Sequence, residues 1–296
     1  MLRLPYVEPV FRPPSEANSL ILQVTNGCSW NRCTFCEMYT QPQKRFRLKP
    51  QGEIENELAA VARAGLAPRR IFLADGDAMT LSHRRLKSIL EAIRRFLPGV
   101  QRVSSYCLPR NLRNKTVAQL AELRELGLQL FYVGCESGDD LVLERVSKGE
   151  NFASSLAALH KIKAAGARSS VMILNGMGGR RYSEQHAVNS ARLMNEAQPE
   201  YLSTLVVSFP MGEERYRAGF LDEYEPLDQA GLFREMLTLL ESLELENTIF
   251  RSDHASNYLV LKGTLTRDKP ALLEKVHAAL ERPGTVPLRP EWARGL

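Results

Sequence analysis

Three cysteines near the start of the chain have the spacing of a metal site. Cys28, Cys33 and Cys36 form a C-x4-C-x2-C pattern on one short segment. Thiolates are soft ligands that select zinc or iron–sulfur clusters. A closed structural zinc site uses about four ligands, whereas this segment supplies only three. On a four-iron cluster, three thiolates would leave one iron able to bind a substrate or a cofactor.

Polar motifs follow several apolar runs farther along the chain. Asp75, Gly76 and Asp77 come directly after one such run, and Glu136 and Ser137 come shortly after another. A carboxylate suits a cationic ammonium group, and glycine lets the backbone approach a ligand closely. The alternative for the first motif is an ordinary turn with a solvated aspartate. For Ser137, the alternative is a cap on the following helix.

The elements that must position these residues alternate along the chain. Short apolar runs typical of strands lie at residues 20–24, 71–74, 102–106, 128–133, 171–174 and 202–209. Segments of helical periodicity separate them, so the alternation repeats about six times. This order predicts parallel strands joined by right-handed crossovers. Parallel sheets bind ligands at the carboxyl ends of their strands, and the cysteine segment lies at such an end.

The fold class that this pattern predicts is α/β, with a partial (β/α)6 TIM-type barrel. We expect a short N-terminal arm over residues 1–18, the barrel over 19–215 and a C-terminal extension over 216–296 that packs on it. Helices are predicted at 227–243 and 269–280, and the tail from residue 281 reads as irregular. A separate second domain is not expected because the remainder after the barrel is short.

Composition places the chain among ordinary globular proteins. Apolar residues at 44% and charged residues at 25% are typical of that class. The formal net charge of +5 favours anionic partners without identifying one. No stretch reaches the roughly 20 apolar residues of a membrane helix, and the start lacks a signal-peptide pattern. We therefore expect a cytoplasmic protein without membrane association, whose clustered cysteines bind metal rather than form disulfides.

Taken together, the cysteine spacing and the strand-end motifs resemble the radical S-adenosylmethionine (SAM) superfamily over residues 20–209. The gap between Cys28 and Cys33 is one residue longer than the spacing commonest in that superfamily. An aromatic residue before the third cysteine is typical of it, and Phe35 matches. The Glu-Ser-Gly sequence at 136–138 resembles the MiaB/Elongator-like branch, which also includes coproporphyrinogen dehydrogenases.

This resemblance implies the cofactors and their ligands. Cys28, Cys33 and Cys36 would bind a [4Fe–4S] cluster, whose free iron binds the amino and carboxylate groups of SAM. Reductive cleavage of SAM would give a radical that abstracts hydrogen from the substrate. The electron would come from a low-potential donor of the flavodoxin or ferredoxin type. The cofactor-binding residues that the resemblance implies are Phe35, Gly76, Asp77, Ser104, Glu136, Ser137 and Ile173.

Further residues are candidates for the same pocket, and some have an alternative interpretation. Ser105 is a further candidate beside Ser104 for the same pocket. Met177, in the glycine-rich segment 176–179, would pack on adenine with Ile173 or else belong to the core. The basic residues 44–47 and 180–181 would be solvated or contact the SAM carboxylate. No residue is assigned to act directly on the substrate as a catalytic group.

The two remaining cysteines limit the subfamily. Cys107 and Cys135 are too few for an auxiliary cluster, which needs about three or four thiolates of its own. We expect both to be small buried residues. Methylthio transfer is therefore disfavoured. Met38 stands where coproporphyrinogen dehydrogenases carry an extra cysteine, which argues against that identity.

The substrate side is predicted from a polar segment near the C-terminus. Residues 252–258 precede the apolar run 259–261 and would close the open side of the barrel. Within this segment, His254 and Asn257 are candidates for substrate contact, although an isolated histidine is more often structural. A small-molecule substrate is expected in preference to a nucleic acid, because no RNA-binding module is recognisable.

A different class of function remains open from the residues alone. Zinc on the three cysteines could stabilise a nucleic-acid-binding module that has no catalytic activity. Its fourth ligand would be Cys107, Cys135 or His83. Three closely spaced cysteines without a nearby fourth ligand argue against this alternative.

Overall fold

The structure is a computed structural model that describes residues 4–221 and 223–295. Within these residues the chain forms ten strands and nine α-helices. The strands are β1 Leu20–Gln23, β2 Thr25–Asn26, β3 Arg47–Leu48, β4 Arg70–Ala74, β5 Arg102–Cys107, β6 Leu128–Glu136, β7 Arg168–Asn175, β8 Tyr201–Val206, β9 Ile249–Ser252 and β10 Leu261–Thr264. The helices are α1 Gln51–Arg63, α2 His83–Phe96, α3 Val117–Glu125, α4 Asp140–Arg145, α5 Phe152–Ala164, α6 Gly179–Ala197, α7 Glu214–Gly219, α8 Gln229–Ser242 and α9 Lys269–Glu281.

Eight of the strands belong to one mostly parallel sheet, and β2 and β3 form a separate antiparallel pair. The predicted mixed α/β class is therefore confirmed. Two strands of the sheet were not predicted, β9 parallel to β8 and β10 antiparallel to β9. Each is only four residues long, and the apolar run 259–261 before β10 has only three residues, so no apolar run of strand length marks them.

Several element boundaries differ from the prediction in ways that affect the site. Strand β6 continues to Glu136, so the glycine and cysteine at 134–135 are strand residues rather than a loop. Helix α6 begins at Gly179, the last residue of the glycine-rich segment 176–179. Its first turn carries mainly polar residues, which hides the apolar periodicity. The short helix α7 was not predicted, and α4 is the helix that was expected to follow Ser137.

The chain divides into two compact units. The first comprises residues up to Asn31, Cys36–Val133 and His160–Ser169. Within it, β1, β4, β5 and most of β6 are parallel in that order. Helices α1 and α2 pack together, as do α2 and α3. The amphipathic faces of these helices supply apolar residues to the core of this unit.

Local sequence explains these elements. Residues 71–74 of β4 are fully buried, as expected for a strand covered on both faces. In α1, the buried residues Ile54, Leu58 and Val61 recur at intervals of four and three and so share one face. Helix α2 begins after Ser82, whose side chain accepts a hydrogen bond from the amide of Arg85.

The second unit comprises Arg32–Phe35, Gly134–Leu159 and the chain from Ser170 onward. In it, β7, β8 and β9 are parallel, and the register pairs Asn175 with Val206. Helix α8 packs on both α6 and α9. The parallel order brings the carboxyl ends of β7 and β8 to the same edge.

An aromatic cluster stabilises the glycine-rich segment of this second unit. Tyr216 and Tyr224 are buried with their rings 4.9 Å apart between centroids. The Tyr216 hydroxyl donates to the carbonyl of Met177 at 2.5 Å, and the Tyr224 hydroxyl donates to that of Gly176 at 3.1 Å. Met177 is itself fully buried in this cluster. Its core-packing interpretation is therefore supported.

Candidate cofactor site

The cysteine segment follows β1 and β2. Cys28 and Cys36 are partly exposed, and Cys33 is buried. Gly27, just before the first cysteine, has a φ of +68°, and an added Cβ would lie 1.9 Å from the carbonyl oxygen of Lys44. Only glycine therefore fits at this position.

In the first unit, the turn after β4 presents two buried carboxylates. Asp75 Oδ2 accepts hydrogen bonds from the Gly27 amide at 3.2 Å and from the Lys44 ammonium, with which it forms a fully buried ion pair. Asp77 Oδ2 accepts from the backbone amide of Ser29 at 3.2 Å and from its hydroxyl. The other oxygen of each carboxylate, Oδ1, is buried and has no hydrogen-bond partner in the described part of the chain.

The electrostatics of this turn follow from its burial. Burial raises the pKa of Asp75, and the hydrogen bond and charge of Lys44 oppose that increase. Burial likewise raises the pKa of Asp77, and the hydrogen bonds from Ser29 oppose it. A cationic donor at either unpartnered oxygen would lower these pKa values and favour the ionised carboxylates.

Glycine is required between these aspartates by the close approach of an aromatic ring. A Cβ on Gly76 would lie 2.3 Å from an edge carbon of Tyr39. Tyr39 is buried, and its hydroxyl has no partner among the described residues. Burial, with the nearby Asp75 carboxylate, raises the pKa of this hydroxyl well above its ordinary value. The ring therefore separates Gly76 from open space on that side.

The serines of β5 use their hydroxyls inside the sheet. Ser104 Oγ donates to the carbonyl of Ile71 at 3.5 Å, and Ser105 Oγ donates to that of Leu73 at 3.2 Å. Both serines are fully buried. These contacts satisfy their hydroxyl protons within the first unit, and each hydroxyl oxygen remains able to accept.

In the second unit, three contacts fix the middle of the cysteine segment. A guanidinium nitrogen of Arg215 donates to the carbonyl of Cys33 at 2.8 Å, and the amide of Thr34 donates to the carbonyl of Val146 at 3.0 Å. The Lys148 ammonium lies 5.7 Å from the ring centroid of Phe35. The predicted aromatic residue thus packs beside a buried cation.

The end of β6 carries a strained acidic residue. Glu136 has a φ of +66°, which is uncommon for a residue other than glycine and costs backbone energy. Its Oε1 accepts from the Lys148 ammonium at 3.0 Å, and both side chains are nearly fully buried. Burial lowers the pKa of Lys148, but the charge and hydrogen bond of Glu136, together with the nearby Cys33 and Cys135, raise it, so the net pKa lies above its ordinary value. Glu136 Oε2 is buried and has no partner among residues 4–221 and 223–295.

Ser137 belongs to a buried polar chain that crosses two helices. Its hydroxyl lies 2.7 Å from Nδ1 of His186 on α6, whose Nε2 lies 4.0 Å from Oε1 of Glu235 on α8. That same Oε1 accepts from the amide of Gly176 at 2.6 Å. Ser137 Oγ also accepts from the amide of Asp139, although Asp139 rather than Ser137 caps α4.

The remaining predicted residues lie elsewhere in the second unit. Ile173, on β7, is fully buried. Asn257 is also buried and donates its side-chain amide to the carbonyl of Thr204 on β8 at 2.8 Å. His254 is half-buried, and its Nδ1 lies 2.9 Å from the Ser256 hydroxyl within the same turn. Arg289 donates to three carbonyls of this turn, at residues 254, 255 and 257. Arg294 donates to the remaining carbonyl, that of Ser256, at 2.9 Å, so internal contacts and two arginines fix the turn.

The donor set fits a cluster better than a single ion. Within the residues that the structure describes, no three histidine, cysteine, aspartate or glutamate side chains group as the ligands of one metal ion. A zinc site needs about four ligands at one point, so the zinc-stabilised alternative has no supporting group there. A [4Fe–4S] cluster is bound by thiolates on different irons, so its ligands lie farther apart than those of a single ion. Three thiols on one segment match that chemistry.

The sequence does not reveal four residues that contact the predicted site residues. Lys44, Lys148, His186 and Arg215 each contact a predicted residue or its neighbour. The basic segment 44–47 predicts that Lys44 is solvated or contacts the SAM carboxylate. Its full burial against Asp75 gives it a different partner. None of these residues has a local spacing signal, because each partner is distant in sequence.

Sequence comparison decides the family. The model of the radical SAM superfamily matches residues 22–194, more than half of the chain. The chain belongs to the radical SAM superfamily. Members of this superfamily bind a [4Fe–4S] cluster and SAM, so the predicted family, enzyme class and cofactors are confirmed at that level. No helix in the described residues has the length and apolarity needed to cross a membrane.

Individual relatives are distant. The heme chaperone HemW of Bacillus subtilis (strain 168) is 21% identical over 182 residues, which cover 59% of this chain and 47% of HemW. Coproporphyrinogen III oxidase (HemN) from Escherichia coli has a TM-score of 0.58 at 16% identity, covering 75% of this chain and 52% of HemN. The methyltransferase TsrM from Kitasatospora setae has a TM-score of 0.51 at 18% identity, covering 63% of this chain and 36% of TsrM.

These likenesses show the fold, a partial TIM-type barrel, as predicted. The chain spans about half the length of HemW and HemN and about a third of TsrM. The three matches do not assign a branch within the superfamily. The MiaB/Elongator-like branch therefore stays a prediction.

Proposed function

We propose that this chain is a radical SAM enzyme that binds its cluster through Cys28, Cys33 and Cys36 and acts on a small-molecule substrate. With the cluster and SAM bound, reductive cleavage of the sulfonium would supply the radical that abstracts hydrogen from the substrate. The protein supplies binding, orientation and exclusion of water.

The observation that carries this proposal is a pair of unsatisfied acceptors at strand ends. Asp77 Oδ1 follows β4, Glu136 Oε2 ends β6, and both are buried without a donor in the described residues. Leaving a buried charged acceptor unpaired costs more than about 1–3 kcal/mol, so a donor from a bound molecule is expected to satisfy it. SAM carries such donors, an ammonium group and two ribose hydroxyls. Asp77 would bind the ammonium and Glu136 the ribose.

Other residues of the chain would complete the SAM pocket. Phe35, Gly76, Ser104, Ser137 and Ile173 are the further contacts that we propose. Gly76 exposes backbone with no side chain, and the serine hydroxyl oxygens can each accept one more hydrogen bond. Ile173 would pack on adenine. The left-handed backbone of Glu136 would aim its carboxylate at the ribose, since strained residues cluster at functional sites.

Electron supply and location follow from the same chemistry. We propose a low-potential flavodoxin or ferredoxin as the donor and the cytoplasm as the compartment. The net charge of +5 would attract an acidic redox protein. On the substrate side, His254 and Asn257 remain the proposed contacts. His254→Ala should keep the cluster and SAM cleavage but lose turnover on the substrate, because small displacements from the radical are costly.

Anaerobic reconstitution tests the proposal. Wild-type protein should bind about four irons per chain and, with a reductant, cleave SAM to 5′-deoxyadenosine. Cys33→Ala should lose both properties. Cys135→Ala is the matched control, because it removes a buried thiol that is no proposed ligand. An intact cluster that leaves SAM uncleaved would contradict the proposal, and a colourless zinc protein that binds RNA would favour the alternative.

A further inference from the structure

The turn after β4 holds the backbone on both sides of Cys28. Asp75 accepts the amide of Gly27, and Asp77 accepts the amide of Ser29, each at 3.2 Å. We propose that Asp75 and Asp77 are positioning residues that fix the Cys28 thiol for cluster binding. This proposal rests on the proposed function for the identity of the cluster. It assigns to the two aspartates a role that is separate from SAM binding.

Asp75 is itself fixed by an ion pair. Its Oδ2 accepts from the Lys44 ammonium, which also donates to the carbonyl of Val7 at 2.8 Å. Both charged side chains are fully buried. If one of them is removed, water cannot solvate the charge that remains. The carbonyl of Lys44 occupies the space that a Cβ on Gly27 would need. Lys44 thus fixes Gly27 through the carboxylate and through its own backbone.

The same turn contacts the segment beyond Cys36. Gly76 lies against the ring of Tyr39, close enough that a Cβ would overlap it. The Tyr39 carbonyl accepts from the side-chain amide of Asn31 at 2.9 Å. Asn31 has a φ of +42°, a conformation that asparagine tolerates better than most residues, and it lies in the long gap between the first two cysteines. These contacts link both ends of the segment to one turn.

The two oxygens of Asp77 allow the two roles to be separated. Oδ2 is occupied by Ser29, whereas Oδ1 has no partner in the described chain. Holding Ser29 needs only an acceptor oxygen, which asparagine also has. Binding an ammonium group favours the full negative charge, which asparagine lacks. Asp77→Asn should therefore preserve the positioning role and weaken SAM binding, while Asp77→Ala should remove both.

Amide hydrogen exchange and iron content test the positioning role. In cluster-free protein, Asp77→Ala should make the Ser29 amide exchange about three- to tenfold faster, and Asp77→Asn should stay within about twofold of wild type. After reconstitution, Asp77→Ala should retain less than about half of the wild-type iron. The Asn variant should retain nearly all of it, with an unchanged electron paramagnetic resonance signal from the reduced cluster. The matched control is Asp228→Ala, which removes another carboxylate that accepts a backbone amide, that of Gly231, at 2.7 Å.

The outcomes separate this inference from the proposed function. Wild-type exchange at Ser29 and wild-type iron in Asp77→Ala would overturn the positioning role even if the enzyme is active. Equal iron loss in Asp228→Ala would also overturn it, because the effect would then be general destabilisation. A wild-type protein that binds no cluster would contradict the proposed function, while faster exchange in Asp77→Ala would still support the contact itself.

Discussion

Two buried ion pairs fix charged side chains in the candidate site. Lys44 with Asp75 and Lys148 with Glu136 are both nearly or fully buried ion pairs. A buried pair adds little net stability compared with apolar residues, but removal of one partner leaves an uncompensated charge. Retaining two such pairs is consistent with a need for fixed charge positions rather than for stability.

Lys44→Met should destabilise the protein strongly. The substitution leaves Asp75 buried without its cation, which should lower the free energy of unfolding by about 3–5 kcal/mol. Urea denaturation of the cluster-free protein measures this. Lys262→Met is the matched control, because its pair with Asp253 is about half exposed and should cost less than about 1 kcal/mol. Equal losses in the two variants would show that burial of the first pair has no special consequence.

The two thiols outside the cysteine segment should be chemically inert. Cys107 and Cys135 are buried, as predicted, and burial raises the pKa of Cys135 to about 12. At about pH 8 only ~0.01% of that thiol would be thiolate, so it should not react with iodoacetamide in native protein. Mass spectrometry of native and urea-unfolded samples reads this out, since Cys135 should be labelled only after unfolding. Rapid native labelling of Cys135 would show that its strand end opens readily.

At the scale of elements, the contact between α6 and α8 has a polar centre. His186 and Glu235 are almost completely buried there and connect to Ser137 and to the amide of Gly176. Two helices that pack through such a centre hold the carboxyl ends of β6 and β7. We expect these residues to affect SAM binding without contacting SAM.

His186→Ala should lower both stability and SAM affinity. It leaves the Ser137 hydroxyl without this partner and Glu235 without a neighbouring ring, which costs about 1–3 kcal/mol of unfolding free energy. Thermal unfolding and equilibrium SAM binding to the reconstituted protein measure the two effects. His277→Ala on α9 is the control, because that histidine is partly exposed and pairs with Glu281 on the same helix. Unchanged SAM binding in His186→Ala would show that this buried polar centre contributes to packing alone.

The polar turn that precedes β10 should make stability depend on pH. Burial and the Arg289 guanidinium lower the pKa of His254 below its ordinary value of 6.5. The unfolded chain therefore binds more protons than the folded one between the two pKa values. Stability from this group is complete above about pH 6.5 and is lost as the pH falls toward the folded-state pKa. Between about pH 7.5 and about pH 5.5, the free energy of unfolding should fall more for wild type than for His254→Gln. Equal decreases would contradict this.

Elements with strong local patterns were predictable, and long-range contacts were not. The strands β1, β4, β5, β6, β7 and β8 and the longer helices followed from apolar runs and helical periodicity. Strands β9 and β10 did not, because they are short and gain their stability from pairing with β8 and with each other. The cysteine ligands and acidic motifs were visible as spacing, whereas Lys148 and His186 became site residues only through the fold.

At the scale of the whole molecule, SAM should stabilise the protein only after the cluster has bound. SAM binds the family's cluster through a free iron, so it should stabilise cluster-loaded protein and leave cluster-free protein nearly unchanged. At about 100 times its Kd, SAM should add about 2.7 kcal/mol and raise the Tm by about 5 °C. Differential scanning fluorimetry under anaerobic conditions measures both states. An equal shift without the cluster would show that SAM binds by other contacts.

The groups that hold the cysteine segment are made at different times during synthesis. The partners of Gly27 and Ser29 are complete once residue 77 has been added, whereas Arg215, the partner of the Cys33 carbonyl, follows much later. Nascent chains begin to fold from the N-terminal end while translation continues. The segment would therefore become ordered in two stages on the ribosome, first around Cys28 and then around Cys33. A cluster inserted before residue 215 has been translated would meet one ligand, Cys33, that is not yet held in place.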